Sequence, residues 1–145
     1  MGKRGFTLVE LIAVIALLAI VVVIAVPSIN GVTNSIKQNM LDKKIAMIEE
    51  AAVLYGQDSK GSIISSTNKY DSTYTCKSII VSTLVPNYLD KDNDSECLTD
   101  ENNSGGCIVD PSNKDNYLDK KEVIIYYKNK RIYAKVDIDD TLSCS

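Results

Sequence analysis

The chain has 145 residues, with 16 Lys and Arg, 19 Asp and Glu, and no His, a length that suits one ordinary domain. Its formal net charge of −3 provides no overall field that would capture nucleic acid. The lack of histidine excludes Ser-His-Asp and Cys-His nucleophile arrangements and histidine-ligated metals. Since no other nucleophile–base pair is recognisable, we expect a protein that is not an enzyme.

The apolar residues are concentrated near the N-terminus. Between Phe6 and Val26 only Thr7 and Glu10 are polar, and two bases precede this run. About 20 apolar residues span the hydrocarbon core of a bilayer, and bases before the span favour a cytoplasmic start. The run therefore predicts a membrane helix. A secretory signal peptide is the alternative, but an acid inside the apolar stretch disfavours it.

The start of this run resembles the precursors of type IV pilins and pseudopilins. Residues 3–10 read Lys-Arg-Gly-Phe-Thr-Leu-Val-Glu, and the long apolar stretch follows. The resemblance implies that a prepilin peptidase cleaves after Gly5 and methylates Phe6, the new N-terminal residue. It also implies that Glu10 is the acid five residues into the mature family members, and that Pro27 is the proline at which their helix bends.

Glu10 has two candidate roles after such a cleavage. In a helix, a carboxylate four residues beyond the new α-amine lies about 6 Å from it along the axis. Glu10 could therefore pair with its own amine or with the amine of a neighbouring subunit in a filament, which would relieve an acid buried among apolar side chains. In the alternative, Glu10 snorkels to the lipid headgroups.

The helix is expected to continue beyond Pro27, which should kink it without ending it. Apolar residues recur there at steps of three and four, and Gly56 is the predicted end. The stripe consists of Ile29, Val32, Ile36, Met40, Met47, Ile48, Ala51, Ala52 and Tyr55.

The polar residues 57–75 predict a connecting loop. Ile79, Ile80 and Val81 predict a short strand, and Ser82 is expected to cap a helical turn. The pattern around Leu84, Tyr88 and Leu89 weakly resembles the head of Gram-positive pilins.

The clearest local pattern is a β-hairpin. The segments Glu122–Lys128 and Arg131–Ile138 flank Asn129 and Lys130, and asparagine tolerates the positive φ of a tight turn. Pairing Lys128 with Arg131 places six largely aliphatic residues on one face: Val123, Ile125, Tyr127, Ile132, Ala134 and Val136.

We expect this hairpin to pack on the second half of the long helix. The expected fold class is therefore α+β, a long N-terminal helix packed against a small antiparallel sheet. The expected segments are a leader at residues 1–5, a transmembrane and assembly helix at residues 6–56, and a globular head at residues 57–145.

All four cysteines lie beyond the apolar run, on the side that would be exported. An even number of cysteines in an oxidising compartment favours disulfides. Of the possible connectivities we expect the non-crossing pairs, with the second one holding the tail after the hairpin: Cys76–Cys97 and Cys107–Cys144.

An acidic segment, residues 90–101, contains six acids and one base. Asp90, Asp92, Asp94 and Glu101 follow the spacing of a calcium loop, but Ser95 stands where that loop needs glycine. We expect a solvated surface loop, with a calcium site as the alternative.

The resemblance implies a structural subunit of a type IV pilus or of a type II secretion-like or competence filament. Its partners would be a prepilin peptidase and other pilin subunits, and nothing in the sequence points directly to nucleic acid. The subunit would cross the cytoplasmic membrane once before assembly and would lie in a filament at the cell surface afterwards. The alternative is a surface binding module with a single membrane anchor and a calcium-binding head loop.

Overall fold

The computed structural model describes residues 7–93, 106–113 and 115–145, and for residues 24–30 it describes the backbone only. Two helices come first, α1 at Leu8–Asp58 and α2 at Lys60–Ile64. The remaining elements are β1 at Lys69–Tyr70, β2 at Tyr74–Ile80, a 3₁₀ turn at Val81–Leu84, β3 at Glu122–Lys128 and β4 at Arg131–Asp137. The strands form one antiparallel sheet in the order β1-β2-β3-β4. The prediction of an α+β fold with a long N-terminal helix is confirmed.

The chain divides into two compact units, Met1–Gln38 and Asn39–Ser145. The described part of the first unit is helical from Leu8 onward, and its backbone continues as helix through Pro27. Every large apolar side chain from Leu8 to Val23 is between 46% and 74% exposed. Within the described residues, no helix combines the length and the apolar character that crossing a membrane requires.

The second unit is built around one apolar core. The last part of α1 contributes Leu41, Ile48, Ala51 and Ala52, all of which are buried. The sheet contributes the side chains that the sequence predicts on one face of the hairpin. Four of them are buried in this core: Val123, Ile125, Ile132 and Val136. Full burial of an aliphatic side chain of this size stabilises a fold by about 1.5–3 kcal/mol. The prediction that the hairpin packs on the second half of the helix is therefore confirmed.

The hairpin has the predicted register. Lys128 pairs with Arg131, and the pairing continues to Glu122 and Asp137 at the other end. Asn129 and Lys130 have φ values of 50° and 66°, the positive values that a two-residue type I′ turn requires. This register places Val123 and Ile125 opposite Val136 and Ala134 on the face that packs in the core, and a slip of one residue would move these side chains to the opposite face.

Several local predictions are wrong. Residues 57–75 do not form the predicted loop, since they contain the end of α1, all of α2 and β1, and the start of β2. The 3₁₀ turn is present, but its N-cap residue is Ile80 and no side chain caps it. In the predicted helix stripe Met40 and Met47 are 51% and 56% exposed, because the sheet packs on the side of the helix that carries Leu41 and Ile48.

The predicted disulfide pairs are also wrong, because Cys76 bonds to Cys144 with their Cα atoms 5.9 Å apart. Cys107 is disulfide-bonded as well, and Cys97 lies outside the described residues. The tail determines the Cys76–Cys144 pair, since it runs beside β1. Lys69 and Ser145 exchange backbone hydrogen bonds of 2.8 and 3.3 Å, and Tyr70 pairs with Cys144. This contact cannot be inferred from cysteine spacing.

Gly56 lies where α1 packs tightly against the hairpin. A Cβ at this position would lie 2.7 Å from the Cγ2 atoms of both Ile125 and Ile132. Gly56→Ala should therefore lower the free energy of unfolding by about 1–3 kcal/mol, although alanine is the better helix former. The matched control is Gly61→Ala in α2, where an added Cβ meets nothing within 4 Å. Chemical denaturation of both variants checks the contrast, and equal stability of the two variants would contradict it.

Candidate assembly site

The first turn of α1 contains a reciprocal hydrogen-bond pair between Thr7 and Glu10. The backbone N–H of Glu10 donates to Thr7 Oγ1 at 3.3 Å. In return, Glu10 Oε2 accepts bonds from the backbone N–H and the hydroxyl of Thr7, both at 2.9 Å. This is a capping box, in which two N–H groups at the helix start are satisfied by side chains.

The capping box gives Glu10 a role that neither sequence hypothesis included. A threonine followed three residues later by glutamate, just before an apolar run, is its sequence signature, so the sequence contained the signal. Glu10 is exposed at the surface of the helix. Both of its hydrogen bonds to Thr7 end on Oε2. The cap therefore fixes the position of the carboxylate while leaving it accessible to a neighbouring group.

The other predicted assembly residues are less fully described. Gly5 and Phe6, and with them the expected leader, lie outside the described residues. Pro27 lies within α1, where the backbone is helical on both sides of it, and its side chain is not described. The proposed cleavage, methylation and helix bend therefore remain predictions.

Asp92, one of the four expected calcium ligands, connects two parts of the head. Lys44 Nζ lies 2.6 and 2.8 Å from its two carboxylate oxygens. The backbone N–H of Val109 donates to Asp92 Oδ2 at 2.9 Å. The carboxylate thereby joins α1 to the segment that leads to β3.

The remaining expected calcium ligands do not complete a site in the described chain. Asp90 is exposed, and Asp94 and Glu101 lie outside the described residues. Within residues 7–93, 106–113 and 115–145, no three acidic or cysteine side chains are grouped to hold a metal ion. The calcium site remains a prediction.

Asp119 is almost completely buried, at 2% exposure, the lowest value among the described acids. Its Oδ1 accepts the backbone N–H of Ile108 at 3.0 Å, and Oδ2 is buried with no hydrogen-bond partner in the described chain. Burial, followed by the charge of Asp92, raises the pKa of this carboxyl. Gly106 makes room for it, since a Cβ there would collide with Asp119 Oδ1. No pattern in the sequence singled out this residue.

The raised pKa of Asp119 predicts a specific pH dependence. The folded chain keeps the proton of Asp119 at pH values where the unfolded chain has lost it. The contribution of Asp119 to the free energy of unfolding is therefore at its full value below about pH 4. It is lost as the pH rises through the raised pKa. We expect the unfolding free energy of Asp119→Asn, measured relative to wild type by denaturation, to increase from about pH 4 to neutrality. A difference that stays constant over this range would contradict the assignment.

The comparisons with known proteins locate similarity at the N-terminus. No curated protein and no solved structure matches the chain. Residues 1–26 match the family model of the prokaryotic N-terminal methylation motif. This match includes Gly5, Phe6 and Glu10, the residues on which the resemblance rests. The chain therefore carries, over residues 1–26, the methylation motif that is the signature of type IV pilins and pseudopilins.

Proposed function

We propose that this protein is a structural subunit of a type IV pilus or of a related secretion or competence filament. The observation that carries the proposal is the match of residues 1–26 to the N-terminal methylation motif. The motif implies processing by a prepilin peptidase and assembly with other pilin subunits. It points to a structural subunit and not to an enzyme.

The exposed apolar surface of α1 supports this proposal. The large apolar side chains from Leu8 to Val23 are 46–74% exposed, and leaving apolar surface in water is unfavourable by about 25 cal/mol per Å². Lipid before assembly, and the helices of neighbouring subunits afterwards, would each remove this surface from water. In this proposal the helix is a membrane anchor first and a filament core second.

Glu10 supplies the polar contact in this scheme. Cleavage after Gly5 would create an α-amine at Phe6, with a reference pKa of about 7.7–8. The carboxylate of Glu10, held by Thr7 at the helix start, would pair with the amine of a neighbouring subunit. A buried carboxylate is strongly destabilising without such a partner, so the pair would favour correct axial alignment of the subunits.

The alternative function is a surface binding module that keeps a single membrane anchor. Such a module needs no cleavage at Gly5, and its head would act without polymerisation. Processing of the N-terminus therefore distinguishes the two functions.

Cleavage is tested in cells that express the chain together with a prepilin peptidase. We expect the mature protein to begin at methylated Phe6, and Gly5→Val to remain at precursor mass. Gly2→Val is the matched control, because it adds the same side chain to the leader away from the cleavage bond, and it should be processed. Intact-mass measurement reads all three proteins. A mature chain that begins beyond Val26 would indicate a signal peptide and would refute the proposal.

The variant Glu10→Gln distinguishes the role of the Glu10 charge from the role of Glu10 in capping the helix. Glutamine also forms capping boxes, so this variant keeps the helix start and removes only the charge. We expect Glu10→Gln and Glu10→Val to be inserted and cleaved but to yield few or no filaments. Thr7→Val is the control that weakens the cap, by about 0.5–2 kcal/mol, and keeps the charge; it should still assemble.

The readout is the ratio of filament sheared from the cell surface to subunit left in the membrane. Wild-type amounts of filament from Glu10→Gln would show that pairing of charges does not drive assembly. Loss of filament from Thr7→Val with normal assembly of Glu10→Gln would assign Glu10 to capping alone.

A further inference from the structure

The face of the sheet that points away from α1 carries a cluster of four tyrosines. Tyr70 stacks on Tyr126 with ring centroids 4.7 Å apart, and Tyr126 stacks on Tyr133 at 5.6 Å with an angle of 18° between the rings. Tyr74 lies beside Tyr126 at 6.1 Å. We call Tyr70, Tyr74, Tyr126 and Tyr133 the tyrosine face. It crosses all four strands of the sheet.

The stack ends in an exposed ring. Tyr133 lies on β4, the edge strand of the sheet, and is 38% exposed. One side of its ring contacts Tyr126, and no ring in the described chain stacks on the other side. The end of an aromatic stack is a surface on which a further flat π-system can be added.

Cations flank this ring on the same face. Arg131 and Lys135 lie two residues before and after Tyr133, and residues two apart on a strand share a face at a spacing of about 7 Å. Lys128 lies directly opposite Arg131, and its Nζ sits 4.7 Å from the centre of the Tyr74 ring. None of the three cations forms an ion pair with another described residue. Two like charges directly opposite each other destabilise a hairpin, so the fold gains nothing from this arrangement by itself.

Two acids share this face with the cations. Glu122 and Asp137 pair at the end of the hairpin away from the turn, and Asp137 follows Lys135 by two residues. Glu122 accepts a hydrogen bond from Ser78 Oγ, and the buried Asp137 accepts the backbone N–H groups of Thr141 and Leu142. Arg131 and Lys128, next to the turn, are therefore the cations farthest from these acids.

We propose that the tyrosine face, with Arg131 and Lys135, binds single-stranded nucleic acid. One base would stack on the open side of Tyr133, and the two cations would contact the phosphates on either side of it. Single-strand binding surfaces combine exposed aromatic rings with cations in this way, and the stacking is tolerant of sequence. An anionic polysaccharide satisfies the cations but offers no aromatic ring to extend the stack. This site is independent of filament assembly, and it rests on the local arrangement of charge and not on the net charge of the chain.

The test uses the full chain in detergent micelles and a fluorescein-labelled oligothymidylate of about 20 nucleotides. An abasic oligonucleotide of the same length is the matched ligand. Fluorescence anisotropy at low salt should show binding of both, with the abasic strand about fivefold or more weaker, since stacking contributes about 1–3 kcal/mol per base. Equal affinity for the two strands, or no binding of the oligothymidylate, would overturn the proposal.

Variants test the aromatic ring and the cations of the site separately. Tyr133→Leu should abolish the preference for the strand with bases, and Tyr133→Phe, which keeps the ring, should retain it. Replacing Arg131 and Lys135 by Gln should weaken both strands and reduce the slope of log K against log salt by about 1.4. The control replaces Lys91 and Lys120, two exposed lysines elsewhere on the head, and should change neither quantity.

Thermal melting first establishes that each variant is folded. Binding that survives the Arg131 and Lys135 replacement in a folded protein would overturn the proposal. Competition by polygalacturonate at the same charge concentration as effectively as by the oligonucleotide would overturn it in favour of a polysaccharide.

Discussion

The proposed function depends on one physical constraint, the cost of leaving the apolar side chains from Leu8 to Val23 in water. Twelve large apolar residues in this part of α1 are exposed, and burying each one is worth about 1.5–3 kcal/mol. None of them is buried. The same helix differs from Leu41 onward, where one side of it is covered by the sheet. One helix therefore contains an exposed apolar segment and a segment that belongs to the core of the head.

A few specific contacts stabilise the head. Gly56 lets the hairpin approach the helix closely, and Glu49 accepts the outward backbone N–H of Val136 on the edge strand. Lys44 and Asp92 join the helix to the segment before β3. The Cys76–Cys144 bond closes a separation of 68 residues, which restricts the unfolded chain by about 4 kcal/mol in the loop-entropy description. The contacts of Gly56, Glu49 and Lys44 make the end of α1 part of the head, and the disulfide holds the C-terminal tail on β2.

The sequence predicts those features that are encoded locally. The register of the hairpin follows from a two-residue turn that accepts positive φ and from the apolar face that this pairing creates, and it is correct at every pair. The long helix follows from its apolar run. In contrast, β1 has only two residues and forms because β2 and the C-terminal tail lie on either side of it, so composition alone suggested a loop. The cysteine pairing failed for the same reason, since it depends on that tail.

The N-terminal motif can be recognised from the sequence because its residues are contiguous. Gly5, Phe6 and Glu10 belong to it, and the family match includes them, while their roles in processing and assembly stay predictions. The capping box at Thr7 is also encoded by a short pattern, a threonine with a glutamate three residues later. Asp119 could not be found in this way, because its burial is produced by Ile108 and Gly106, which no pattern links to it. The net charge of the whole chain does not reveal the local cluster of cations around Tyr133.

Electron cryomicroscopy of filaments sheared from cells that express the chain tests the central claim most directly. We expect the filament axis to consist of packed helices formed by residues 8–23, with the four-stranded sheets outside and Glu10 beside the N-terminal amine of a neighbouring subunit. Filaments whose axis lacks these helices would contradict the claim. The chain present only as unassembled membrane protein, in cells that make filaments from other subunits, would contradict it as well.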